Sequence, residues 1–176
     1  DPSDGGVLHR VHVTLPDDLA DPGRIGMRLA LPHRFSHLRW YGRGPGENYP
    51  DRQRGSQLGT WEGTADPLPY LVPQEHGLRC DVRWLACTDP DTGETVWVRT
   101  VEPAALHMGV TAHTAEQLLA APADVDLPPS DRWWVHVDVA HRGLGTASCG
   151  PRVAPRYRIP AGTYAFAFWL GLTATP

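Results

Sequence analysis

The sequence predicts an all-β fold, an antiparallel β-sandwich carrying one short helix. Three observations predict it. Apolar residues recur at every second position in several runs of strand length. Between those runs, 18 Gly and 18 Pro act as turn punctuation. A single stretch carries a helix start signal followed by good helix formers. With 41% hydrophobic and 20% charged residues among 176, the composition is that of a globular chain able to bury a sizeable core, and residues 1–176 read as a single domain.

The elements follow in order. Val7 to Thr14 is a strand with Val7, Val11 and Val13 on one side, closed by Pro16 and the turn after it. Arg24 to Leu31 alternates cleanly, with Ile25, Met27, Leu29 and Leu31 on one face, as a half-buried antiparallel strand requires. Phe35 to Tyr41 is a third strand, leading into WYGRGPGENYPDR, Trp40 to Arg52. Three glycines around Pro45 make that segment a turn-rich loop. Gln57 to Gly63 is a weaker strand around Trp61. Cys80 to Cys87 puts Val82 and Trp84 on one face and Asp81, Arg83 and Leu85 on the other. Asp89 to Gly93, DPDTG, is a hairpin turn returning through Thr95 to Val101. Thr114 with Gln117 three residues on forms a capping box for a helix of about two turns that Pro122 ends. Trp133 to Val139 alternates strictly, with His136 and Asp138 on the face opposite its valines. Tyr157, Ile159 and the run from Thr163 to Leu170 complete roughly nine or ten strands.

A net charge of −4 and a pI near 6.1 supply no basic stripe for phosphates, so nucleic acid is not an expected partner. The longest apolar run, Tyr164 to Leu172, falls far short of the ~20 residues that span a bilayer, so no membrane segment is expected. The start, DPSDGG, lacks the basic and apolar regions of a signal peptide. Cys80, Cys87 and Cys149 form neither a CxxC pair nor an even set, which argues against a disulfide framework and a structural zinc site and fits a reducing, cytoplasmic location. Because the first residue is Asp1 rather than Met, the chain reads as a piece of something longer.

Several residue sets invite a chemical reading. His9/His12, His33/His37 and His136/Asp138 are metal-ligand pairs on paper, but only the last has the i, i+2 spacing that converges on a strand, it supplies two ligands at most, and a solvated or hydrogen-bonded strand face is the favoured reading. Glu47, Asp51, Glu75 and Asp81 offer carboxylates for glycosidase-type chemistry. Ion pairing within polar turns, with Arg52 and Arg79 near, competes with that reading. Cys149 in GTASCGP has only His141 as a base within the same stretch. Trp40, Trp61 and Trp134 suit a sugar-stacking platform if exposed, whereas Trp84, Trp97 and Trp133 fit a core.

The ordered series RIG (24–26), WYGRGPGENYPDR, LVPQEHGLRCDVRW (71–84), HRGLGTASCGP (141–151) and YRIPAGTYAFAFWL (157–170) resembles the C-terminal domain of family 2 β-galactosidases. The resemblance implies the β-supersandwich that ends these enzymes, a galactose mutarotase-like fold, and a parent that hydrolyses terminal β-D-galactosyl residues with retention. It places the two catalytic glutamates in a separate (β/α)-barrel, so no residue of this chain is expected to be catalytic. It also assigns the parent's magnesium or sodium to that barrel, leaving no cofactor here. The loop 141–151 is expected to reach the sugar pocket, with Cys149, Ser148 and His141 as candidate substrate contacts. In part of the family a tryptophan stands where Cys149 does.

The resemblance further implies that an earlier portion of the same domain precedes Val7 and that the isolated chain, with edges uncovered, self-associates into a homo-oligomer. The expected partners are the catalytic barrel and a galactoside, and Glu47, Asp51 and Arg52 are expected to brace against the Gln74 to Arg79 turn. A freestanding carbohydrate-binding module on Trp61 or Trp134 is the alternative. An aldose mutarotase-like protein is a third reading, for which no paired His/Glu arrangement is evident in sequence.

Overall fold

A computed structural model describes residues 5–65, 72, 74–145 and 152–173. Ten strands and one α-helix occur among them: β1 (Val7–Leu15), β2 (Arg24–Pro32), β3 (His37–Gly44), β4 (Gln57–Thr64), β5 (Leu78–Val82), β6 (Trp84–Thr88), β7 (Thr95–Glu102), β8 (Leu106–Thr111), α1 (Ala115–Ala120), β9 (Arg132–His141) and β10 (Gly162–Thr173). They build two antiparallel sheets, one ordered β1-β10-β7-β6-β3-β4 and the other β2-β9-β8-β5. The all-β sandwich with one short helix is therefore the observed architecture. Thr114 Oγ1 accepts from the Gln117 amide at 3.2 Å and Gln117 Oε1 from the Thr114 amide at 2.9 Å, which is the capping box the sequence announces.

The core lies between the sheets. Leu38, Trp40, Val98 and Phe168 from the larger sheet meet Met108 and Val137 from the smaller one in a single cluster. Alternation explains the membership, since every second residue of β9 (Trp133, Val135, Val137) points inward and the residues between face the other way. Strand β8, LHMGVT, does alternate, with Leu106, Met108 and Val110 in the core, but Gly109 and Thr111 between them are buried as well, so the run lacks a fully exposed polar face.

Three local readings change. The segment Cys80 to Cys87 is two strands in different sheets, broken at Arg83. Asp81 has φ 56°, a conformation that turns the chain, and the Arg83 amide is left bonding Tyr41 O at 2.7 Å. Parity flips across the break, so Leu85 and Cys87 are buried while Trp84 faces outward, half-buried against Trp97 at 5.6 Å. Trp84 and Trp97 are thus outer-face residues, and Trp133 alone of the three lies in the core. Strand β3 runs on to Gly44 inside the expected loop, because at Gly42 a Cβ would stand 2.9 Å from Val82 Cα and only glycine admits β5 there. Finally, Pro155–Tyr157 is a 3-10 turn rather than a strand.

Candidate functional site

Strand β9 pairs with β2 edge to edge, and the register places Gly26 opposite Asp138, Arg28 opposite His136 and Arg24 opposite His141. A side chain at Gly26 would collide with the Asp138 carboxylate, which accounts for the glycine of RIG. The turn before β5 adds Glu75. Arg24 Nη2 donates to Glu75 Oε1 at 2.6 Å and stands 3.2 Å from His141 Nε2, which is 3.6 Å from the same Glu75 oxygen. His141 Nδ1 faces the Arg142 carbonyl oxygen at 2.7 Å, so that nitrogen carries the proton. Nε2 is then free to accept from Arg24 in the neutral ring or to donate to Glu75 in the imidazolium.

Burial works against the charge of Glu75, but His141 and Arg24 beside it outweigh it and hold the carboxyl at about 2. Asp138 is the opposite case. It is 1% exposed, and burial pushes it up to about 7 in spite of Arg24 and His141. Arg24 Nη1 lies 3.4 Å from Asp138 Oδ2, near enough to attract it, yet that oxygen has no hydrogen bond. Burial and the Arg24 charge push His136 down to about 3, so it is neutral. These groups border a cavity of about 640 Å³, whose walls include Arg24, Glu75, Glu116, His136, Asp138 and His141.

The stem of the glycine-rich loop leaves β9 beside this cavity. Asp51 Oδ1 accepts from the Leu144 amide at 3.1 Å and Asp51 Oδ2 from the Gly145 amide at 2.7 Å, while Arg52 Nη2 donates to Gly145 O at 2.7 Å. Gly145 sits at φ +64° with the Val153 amide nitrogen 2.9 Å from where a Cβ would be. Asp51 and Arg52 therefore brace this loop and not the Gln74 to Arg79 turn. Glu47 does reach that turn, accepting from the Gly77 amide at 2.8 Å. Beside it, buried Asn48 accepts from the Cys80 amide through Oδ1 at 2.8 Å.

The remaining candidates separate. Of the three predicted substrate contacts, His141 is buried in the cavity wall, and Ser148 and Cys149 lie outside the described residues. The four carboxylates go to different partners: Glu47 to Gly77, Asp51 to the loop amides, Glu75 to Arg24, and Asp81 to Arg43 Nε at 2.5 Å. Glu75 thus pairs with Arg24 rather than Arg79, whose guanidinium packs 4.2 Å from the Trp40 ring centre. His9 stacks on Phe168 at 4.9 Å, and His33 packs tilted against Trp133 at 4.3 Å. Among the described residues no group of three or more His, Cys, Asp or Glu is placed to hold a metal ion. Burial pushes the Cys80 and Cys87 thiols up to about 12, out of the reactive range. Trp40 is buried, Trp61 donates to Gly42 O at 3.2 Å, and Trp134 carries Arg28 at 5.0 Å from its ring centre. Arg24 is the cluster member that sequence reasoning missed as a site residue; its signal was the shared polar face of two alternating strands.

Fold and cluster define an antiparallel β-sandwich with a charged cavity on the outer face of its smaller sheet. The family model described as the β-galactosidase small chain matches residues 4–170, and the chain belongs to that family. It is 33% identical over 175 residues to a β-galactosidase of Vibrio cholerae serotype O1, an alignment covering 98% of this chain and 16% of the relative. A β-galactosidase of an Arthrobacter species is 36% identical over 149 residues, 81% of this chain and 14% of the relative. One from Enterobacter cloacae is 33% identical over 156 residues, 86% of this chain and 14% of the relative. The chain thus spans about 16% or less of the length of these relatives. None of its helices is long and apolar enough to cross a membrane, among the described residues.

Proposed function

We propose that this chain is a non-catalytic domain of a retaining β-galactosidase, which shapes the substrate pocket of a separate catalytic barrel and contributes to assembly of the whole enzyme. One observation carries the reading: Asp51 and Arg52 hold both the amides and the carbonyl at the stem of the loop 141–151. Charge-assisted bonds to Leu144 and Gly145 fix the point at which the chain leaves the stem. On this reading Ser148 and Cys149 line the galactoside pocket, and His141 orients the stem. Hydrolysis itself belongs to carboxylates of the barrel, and any metal is held there. The main core cluster, which joins both sheets, supports treating the chain as one domain.

The test compares the chain alone with the longer polypeptide that carries it, using an aryl β-galactoside. The chain alone should release no aryl alcohol, whereas the longer polypeptide should, and Cys149→Trp should change its kcat/KM. Hydrolysis by the chain alone would overturn the proposal.

A second reading, an aldose mutarotase-like activity, draws support from the His141–Glu75 pair, 3.6 Å apart at the cavity wall, an arrangement not evident in sequence. Proton transfer at a sugar hemiacetal needs such an acid and base in reach. Polarimetry on freshly dissolved α-D-galactose decides it, and an unchanged rate with the chain present removes it.

A further inference from the structure

The cavity on the outer face of the smaller sheet holds more acceptor capacity than its own donors meet. Its arginines are already matched: Arg24 to Glu75 at 2.6 Å, Arg28 to Glu116 at 3.0 Å and Arg142 to Asp21 at 2.8 Å. Asp138 is met only weakly, with Arg24 Nη1 3.4 Å from its Oδ2. It belongs to the cavity wall and is 1% exposed, and its Oδ2 has no hydrogen bond. A buried carboxylate oxygen in that condition is destabilising unless a donor reaches it. The volume, about 640 Å³, exceeds by far the ~30 Å³ of a water molecule and admits several side chains.

Two further observations say what fills it. The wall continues directly through His141, Arg142, Gly143 and Leu144 into the stem of the loop that is proposed to reach the galactoside pocket. The relatives are also far longer than this chain, which covers 16% of the Vibrio cholerae protein, so most of a polypeptide of that kind lies outside it. We infer that a segment of the remaining parent polypeptide docks in this cavity and presents a hydrogen-bond donor, an arginine, lysine or amide N–H, to the Asp138 carboxylate. The inference rests on the proposed function, because it takes its partner from the parent enzyme.

Carboxyl footprinting with a carbodiimide and glycine ethyl ester tests it. Glu75 and Glu116 report on the cavity, their side chains 30% and 74% exposed, and exposed Glu62 on β4, in the other sheet, serves as the control. In the longer polypeptide, labelling of Glu75 and Glu116 should fall about tenfold, the ratio expected for a contact that excludes solvent most of the time, with Glu62 unchanged. Asp138→Leu and Ala115→Trp should each restore that labelling. Ala115 is an exposed residue of the cavity rim, so the second variant tests the idea even if the first does not fold. A longer polypeptide that hydrolyses galactosides but labels like the chain alone overturns the docking and leaves the proposed function standing. Protection without hydrolysis does the reverse. Protection of the chain alone by free galactose would make the cavity a sugar site and overturn the inference.

Discussion

Asp51 and Gly145, 94 positions apart, are joined by a 2.7 Å hydrogen bond from the Gly145 amide to the Asp51 carboxylate. The neighbouring oxygen of Asp51 takes the Leu144 amide. The proline- and glycine-rich loop after β3 is therefore the clamp on the loop after β9, and a binding surface built from Glu47, Asp51 and Arg52 is not what the fold makes of it.

Removing that clamp leaves two amides without acceptors. Asp51→Ala should cost about 1–3 kcal/mol in urea unfolding, with Asp51→Asn intermediate because it retains one acceptor. Amide exchange at Leu144 and Gly145 should accelerate more than at core positions such as Val137.

Asn48 ties the same loop to β5 from the other side. Its Oδ1 accepts from the Cys80 amide at 2.8 Å, and its own amide donates to Leu78 O at 2.8 Å, all within a buried site. Asn48→Ala should lower stability by about 2 kcal/mol, since a buried N–H loses its partner. Asn48→Asp should be worse at neutral pH than below pH 4, where the added carboxyl is protonated.

Asp138 has its carboxyl raised from the ordinary 3.8 to about 7 in the folded chain. The folded state then binds a proton that the unfolded state has released, so the penalty is absent below about pH 4, grows up to about pH 7 and is complete above it. Asp138→Asn should stabilise the isolated chain at pH 8 by on the order of 2–4 kcal/mol, and the gain should vanish near pH 4. Thermal melts across that window check the sign.

Glu75 moves the other way, from 4.5 down to about 2. Its stabilisation is complete above about pH 4.5 and disappears as pH falls towards 2. With its side chain 30% exposed, solvent screening reduces the effect, and Glu75→Gln should cost about 1–2 kcal/mol at pH 7. Wild type and variant should converge in melts near pH 2.

The legible part of the molecule is the local part. Strands β2 and β9 follow from alternation, the hairpin between β6 and β7 from Gly93 at φ 73°, and α1 from Thr114 and Gln117. In each case the deciding interaction spans only a few residues. The break at Arg83 was not legible, because the switch between sheets depends on where β3 and β8 present open edges. Strand β8 was missed although Leu106, Met108 and Val110 carry the alternation.

By itself, then, the sequence determined the fold class, the family resemblance and the faces of strands such as β2 and β9, though not those of the Cys80 to Cys87 run, since side-chain alternation and turn chemistry are properties of neighbouring residues. Only the tertiary structure decided the partners. Antiparallel register set Arg24 beside His141 and Gly26 beneath Asp138, and chain crossing brought Glu75 to Arg24 and Asp51 to Gly145. Those pairings connect residues 51 to 117 positions apart, and which charge meets which across such distances is settled by how the sheets pack.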